Sequence, residues 1–377
     1  MVTPRFATQF FGALAAEERS RLMKIGLVGW PGSGKSTLLA AMTGELADSG
    51  VEFGKVIERV VTVPDVRLEK LRAIFEPKKF TLATMEMHDF PGLDLGALKG
   101  RSQLLAGMRE MEALAVVLRG FEDPNFPHDP PEPNPLRDWE NLLTEFQVAD
   151  LEIIERRVEK LEKSVKKPTP TQDQDKKELA MLLDLQSAID EGARLADVEV
   201  SSGMEDILAG FGFLTRKPTM AIVNLGDDDD PEDSSGLKAL EGKAEKAVAL
   251  RGRLEAEIAQ LDGDEATAFM EDFGITAPLR ETVIRELFDL LGLHCFFTVG
   301  EDEVRAWTIR KGDTAHAAAG KIHSDIQRGF IRAEITPYEA FVAAGGPREA
   351  KAQGVMRLEG KEYVVQDGDI INFRFSV

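Results

Sequence analysis

The sequence predicts an α/β protein with a doubly wound, mostly parallel sheet, an inserted helical hairpin and a small C-terminal α+β domain. Three observations predict it. Short apolar runs alternate with helix-length segments, the pattern of a parallel sheet covered on both faces by crossover helices. One such run, Met23-Lys24-Ile25-Gly26-Leu27-Val28, leads directly into Gly29-Trp30-Pro31-Gly32-Ser33-Gly34-Lys35-Ser36-Thr37. Two more polar motifs, Asp89-Phe90-Pro91-Gly92 and Asn224-Leu225-Gly226-Asp227, each follow a strand candidate.

The glycine-rich stretch is G-x-x-x-x-G-K-[ST] between a strand and a helix that opens at Ser36, the context its chemistry requires. Gly29, Gly32 and Gly34 admit positive φ, so the backbone N–H groups from Gly29 through Ser33 to Thr37 can curl around phosphates. The helix N-terminus beneath adds further donors and the positive end of its dipole. Lys35 is expected to reach the β- and γ-phosphates, and the Ser36 hydroxyl to ligate Mg2+. The plain alternative, a glycine-rich turn that binds nothing, is disfavoured by the strand upstream.

Beyond this loop, a second strand is expected over Val56–Val63, a helix over Leu68–Phe75 and a strand over Leu82–Met87. Leu114–Leu118 has no alternation and reads as a strand buried on both faces. Proline-rich residues 124–135 break the pattern. Leu142, Phe146, Ala149, Ile153, Ile154, Val158, Leu161 and Val165 then fall at helical spacing, and Lys166-Lys167-Pro168-Thr169-Pro170 ends that helix. A second stripe, Leu179, Leu182, Leu183, Gln186 and Ile189, makes a helical hairpin or, equally, an ordinary pair of core helices. The α/β pattern resumes with the strand Thr219–Asn224. Helices follow near 254–261, 265–273 and 281–291. Val304–Ile309 and Tyr363–Phe375 read as strands around a helical segment, Ala315–Gln327. These breaks divide the chain into a first nucleotide-domain segment at 22–134, the hairpin at 135–214, a second nucleotide-domain segment at 215–302 and a C-terminal domain at 303–377.

Composition narrows the function classes. At 377 residues and 43% hydrophobic content, the chain suits a multidomain globular protein. No run approaches the ~18–20 apolar residues of a membrane span, and no secretory leader pattern opens the chain. The single cysteine, Cys295, sits in an apolar run and reads as a reduced core residue. A cytoplasmic protein with no membrane partner is expected. The net charge of −20 argues against broad nucleic-acid binding. From Val304 onward, however, eleven basic residues meet nine acidic ones, so any RNA contact is expected there. Asp227–Asp230 reads as an exposed loop, since four adjacent buried carboxylates would repel strongly.

Taken in order, the three motifs match a P-loop switch protein. The Asp of Asp-x-x-Gly holds the magnesium shell through water and its Gly senses the γ-phosphate, while Asn-x-x-Asp reads the base. On Asp89-Phe90-Pro91-Gly92-Leu93, Leu136-Arg137-Asp138-Trp139-Glu140 and Phe213-Leu214-Thr215-Arg216-Lys217-Pro218, the chain resembles the YchF/Obg-like ATPase family. The match is closest at Val304–Ile309, Ala319–Asp325 and Glu359-Gly360-Lys361-Glu362-Tyr363 with Asp367-Gly368-Asp369. The resemblance implies a nucleotide domain, an inserted hairpin, a C-terminal TGS domain of β-grasp fold, ribosome association and hydrolysis of ATP in preference to GTP. A monomer is expected.

Several positions depart from the family. Gly32 replaces an Asn linked to potassium coordination in relatives, which argues against potassium stimulation. No Thr lies between Gly44 and Val61 to serve as the switch-loop magnesium ligand. Leu93 stands where Ras-like enzymes place the glutamine that orients water, a substitution the family shares; the resemblance offers His128 as the catalytic substitute, against a plain solvated loop histidine. Leu225 replaces the GTPase Lys and is expected to pack on a purine face. Asp227 replaces the family's Glu, and Arg251-Gly252 aligns with a later base-contacting element. The expected nucleotide site is thus Gly29, Gly32, Ser33, Gly34, Lys35, Ser36, Thr37, Asp89, Gly92, Asn224, Leu225 and Asp227. Two functions stay open: a slow Mg2+-dependent ATPase or GTPase, and a nucleotide-sensing adaptor that scarcely hydrolyses.

Overall fold

The computed structural model describes residues 23–45, 55–93, 100–124, 132–201 and 203–376. His128, expected to act in catalysis, lies outside them. The chain divides into two compact units, one of residues 1–59 and 86–280, the other of residues 60–85 and 281–377.

A six-stranded sheet of order β2-β4-β1-β5-β6-β7 organises the nucleotide motifs. Its strands are β1 (Lys24–Val28), β2 (Ile57–Thr62), β4 (Thr84–Asp89), β5 (Ala113–Arg119), β6 (Thr219–Asn224) and β7 (Lys246–Leu250). β1 pairs in parallel with β4 and β5, β5 with β6, and β6 with β7. The register sets Leu27 beside Asp89, Arg119 beside Asn224, and Asn224 beside Leu250. All the motif-bearing strands therefore end along one sheet edge, the position where open α/β sheets bind ligands. β5 and β6 are buried at every residue, which explains their lack of alternation.

Helix α1 (Lys35–Thr43) begins one residue before the expected Ser36, with Gly34 in the left-handed region at its N-terminus. Helix α2 (Val66–Phe75) follows β2, and α3 (Arg101–Arg109) precedes β5. The hairpin is α4 (Pro135–Ser164) and α5 (Gln172–Asp190). Asn134 accepts from the Arg137 N–H and Pro135 occupies the first turn, where its missing donor costs nothing. Ile154, Val158 and Leu161 meet Met181, Leu182, Leu185 and Ile189 in one core cluster. The buried face of α5 differs from the expected stripe: Met181 and Leu185 are buried, whereas Leu183 is 45% exposed. One apolar residue beside another at helical phase does not identify which of the two meets the partner helix.

The second sheet has the order β11-β10-β12-β8-β9-β3, with β3 (Lys79–Thr81), β8 (Leu293–Thr298), β9 (Glu303–Arg310), β10 (Phe330–Pro337), β11 (Arg357–Glu359) and β12 (Asp369–Phe375). β8 and β9 pair antiparallel over six residues, from Leu293 with Arg310 to Thr298 with Arg305. The unit holding β9 comprises residues 281–377 together with 60–85, whereas the sequence reading draws a boundary at 303. The run Leu293–Phe297 passes for a last strand of the α/β alternation, and its pairing with β9 is a tertiary fact. The strand expected over Tyr363–Phe375 begins only at Asp369. The segment expected to be helical, 315–327, is two helices broken at His323, whose backbone is extended and whose Nδ1 accepts from Asp325 N–H.

Candidate nucleotide site

The loop between β1 and α1 is shaped by close approach. A Cβ on Gly34 would stand 2.1 Å from the Asn224 amide nitrogen, and φ there is +90°. A Cβ on Gly92 would stand 2.7 Å from the Pro31 backbone, so the Asp-x-x-Gly turn lies directly against the phosphate loop. The Leu93 N–H donates to the Gly29 carbonyl at 3.2 Å, tying the two segments together.

Lys35, only 6% exposed, donates to the carbonyls of Gly29 at 3.3 Å and Trp30 at 3.1 Å. Burial pushes its pKa down to about 8, opposed by the Asp89 charge. Ser36 Oγ donates to Asp89 Oδ2 at 2.5 Å. The other carboxylate oxygen, Oδ1, is buried with no hydrogen-bond partner among the described residues, as is Ser33 Oγ. Burial raises the Asp89 pKa, against the Ser36 hydrogen bond and the Lys35 charge. A hydroxyl and a carboxylate converging beside an unspent buried oxygen fit a hydrated magnesium ion, which prefers one or two protein oxygens plus water.

Asn224 is a clamp. Its Nδ2 donates to the Ser33 carbonyl at 3.0 Å and its Oδ1 accepts from the Gly252 N–H at 3.0 Å, joining the phosphate loop to the turn after β7. Leu225 is 8% exposed and belongs to the main core cluster. It also lines a cavity of about 300 Å³ with Gly120, Pro135, Val223, Asp229 and Ser234. Asp227 is not free: its Oδ2 lies 3.0 Å from the Arg253 guanidinium, and Arg251 donates to its carbonyl at 3.3 Å. Asp228, Asp229 and Asp230 are exposed, as expected of that run, whereas Asp227, expected exposed with them, is half-buried.

Two contributors escaped sequence reasoning. Arg253 carries no motif of its own; its place on helix α6 (Gly252–Ile258), which opens at the aligned Arg251-Gly252, was the available signal. Trp30 Nε1 donates to the Asp138 carbonyl at 3.1 Å, fastening the phosphate loop to the first turn of α4. Leu93 is 5% exposed within the core cluster, so it presents nothing to orient a water.

A family model described as "YchF-GTPase_C: Protein of unknown function (DUF933)" matches residues 293–376. The "Ribosome-binding ATPase YchF" of Bacillus subtilis (strain 168) is 38% identical over 365 residues, covering 93% of this chain and 99% of that one. The chain belongs to the YchF family. The YchF relative from Escherichia coli O157:H7, of the same name, is 40% identical over 370 residues, covering 94% and 99% of the two chains. The solved Schizosaccharomyces pombe YchF GTPase superposes with a TM-score of 0.80 at 27% identity, covering 93% of this chain and 97% of that one. The expected P-loop NTPase fold is therefore shown, and the family-model match starts at Leu293, the first residue of β8.

Proposed function

We propose that this YchF-family chain binds and slowly hydrolyses ATP or GTP with Mg2+, and acts on the ribosome in the cytoplasm. The observation that carries the reading is the convergence of Lys35, Ser36 and Asp89 at the head of α1, with Asp89 Oδ1 left unspent. In this reading Lys35 leaves the Gly29 and Trp30 carbonyls to meet the β- and γ-phosphates, while the amides from Gly29 to Thr37 hold the phosphate oxygens. Ser36 and Asp89 would hold the magnesium ion, which offsets phosphate charge. Gly92 brings its N–H to the γ-phosphate side, and Asn224, Leu225 and Asp227 form the base side. Relatives named as ribosome-binding ATPases support the ribosome as partner. His128 is proposed, from the family resemblance, to help position water.

Slow turnover follows from Leu93: enzymes without a positioned glutamine or arginine finger run far below ~1 per second. The adaptor reading keeps one observation in its favour, the absence of any Thr between Gly44 and Val61. Single-turnover hydrolysis with excess protein separates the two. Product formation in the unmodified chain, abolished by Lys35→Ala and reduced by His128→Ala, supports the enzyme. Tight nucleotide binding with no product above the Lys35→Ala background supports the adaptor. Co-sedimentation with ribosomes, with and without nucleotide, tests the partner.

A further inference from the structure

Beside the nucleotide machinery, β2 and β4 carry a second constellation. Glu86 and His88 share one face of β4, and Glu58 stands on the neighbouring edge strand β2. One ligand atom from each of the three lies within 4.8 Å of the others. His88 is 5% exposed and its ring stacks on Phe90, with centroids 6.4 Å apart. Its Nε2 lies 3.0 Å from Glu86 Oε1, and its Nδ1 lies 3.7 Å from Glu58 Oε1.

A carboxylate only accepts, so Nε2 carries the proton and donates to Glu86. In the neutral ring the Nδ1 lone pair then faces the Glu58 carboxylate. Two electron-rich atoms then confront each other at 3.7 Å, beyond hydrogen-bond distance. A cation between them resolves the conflict. The arrangement has the form of a metal-ligating histidine, whose second nitrogen is held by a carboxylate that fixes tautomer and ring orientation. Two ligands each about 2.0–2.2 Å from one ion stand roughly 3–3.5 Å apart. The observed 3.7 Å needs only a small turn of Glu58, whose side chain is 65% exposed.

We propose that His88 Nδ1 and Glu58 bind one transition-metal dication of the zinc class, with Glu86 orienting the imidazole. An imidazole ligand excludes the hard, oxygen-seeking Mg2+ and Ca2+ and suits Zn2+ or Co2+. The ion ties the edge strand β2 to β4, whose last residue is Asp89. The test is a Co2+ titration of untagged, chelator-treated, nucleotide-free full chain, followed by visible absorption and calorimetry. One equivalent is expected, displaced by Zn2+ but not by equimolar Mg2+. Affinity falls at least tenfold in Glu58→Gln and in His88→Gln, and is unchanged in Ser36→Ala. Because Glu58 is exposed, its variant keeps the test open should His88→Gln fail to fold. No saturable uptake overturns the proposal. It fails equally if uptake survives Glu58→Gln unchanged, or disappears in Ser36→Ala.

Discussion

Lys35 shows how one buried charge links stability to binding. With the folded value near 8 against 10.5 when unfolded, the unfolded chain holds the extra proton between those limits. Stability of the nucleotide-free protein therefore rises with pH across that window, by up to about 1.4 kcal/mol per unit. Triphosphate affinity runs the other way, because only the ammonium attracts phosphate: it should fall about tenfold per unit above pH 8. Urea unfolding and calorimetry from pH 7 to 9.5 read the two trends, and parallel slopes would remove Lys35 as their cause. At the base side, the Arg253–Asp227 pair competes with the two guanine donors that a free carboxylate would accept. ATP and GTP affinities are expected within about tenfold of each other. Arg253→Ala should then favour GTP by up to about fivefold, the scale of an exposed ion pair. Asp227→Glu should favour ATP by crowding guanine. Competition binding of both nucleotides decides it, and unchanged ratios in both variants would show that Asp227 never meets the base.

At the scale of elements, a buried carboxylate ties α4 of the hairpin to the turn that precedes β6. Asp150 on α4 is fully buried and accepts from the N–H groups of Leu214 and Thr215 at 3.0 and 2.9 Å, and from Thr215 Oγ1 at 2.9 Å. Arg109 at 3.3 Å balances its charge. These bonds set the turn that returns the chain into β6, and hence the position of Asn224. Asp150→Ala leaves the buried Leu214 and Thr215 donors unpaired and strips Arg109 of its buried counter-charge, though the guanidinium keeps the Ala149 carbonyl at 2.8 Å, and should cost ~3–5 kcal/mol. Glu152→Ala, on the exposed side of the same helix, should change stability by less than ~0.5 kcal/mol. Urea unfolding of both variants measures the contrast. Equal effects would mean that α4 is held by its apolar face alone.

At the scale of the whole molecule, the C-terminal sheet draws on residues 60–85 as well as 281–377. A chain cut after Asp302 therefore keeps β8 but removes β9 and β12, its partners on both sides. Such a chain is expected to aggregate through the exposed apolar strand, as light scattering would show; a monodisperse, nucleotide-binding product would contradict the pairing. Cys295 lies on that strand, 5% exposed, with its thiol pushed by burial up to about 12. It should resist alkylation in the native protein and react on unfolding.

The phosphate loop, the Asp-x-x-Gly turn and the inner strands were legible in the sequence because each is a contiguous signal. Glycines stand where the backbone must approach a phosphate, and uninterrupted apolar residues mark strands buried on both faces. The helical stripe of α4 was legible for the same reason, while the neighbouring Leu182 and Leu183 could not be told apart without the helix they meet. What the tertiary structure alone decided involves residues distant in sequence. Arg253 reaches Asp227, Trp30 reaches Asp138, β8 pairs with β9 and β12, and His88 comes between Glu58 and Glu86. Local pattern encodes propensity and burial, whereas partnership between distant side chains depends on strand order and register, which emerge only when the sheets close.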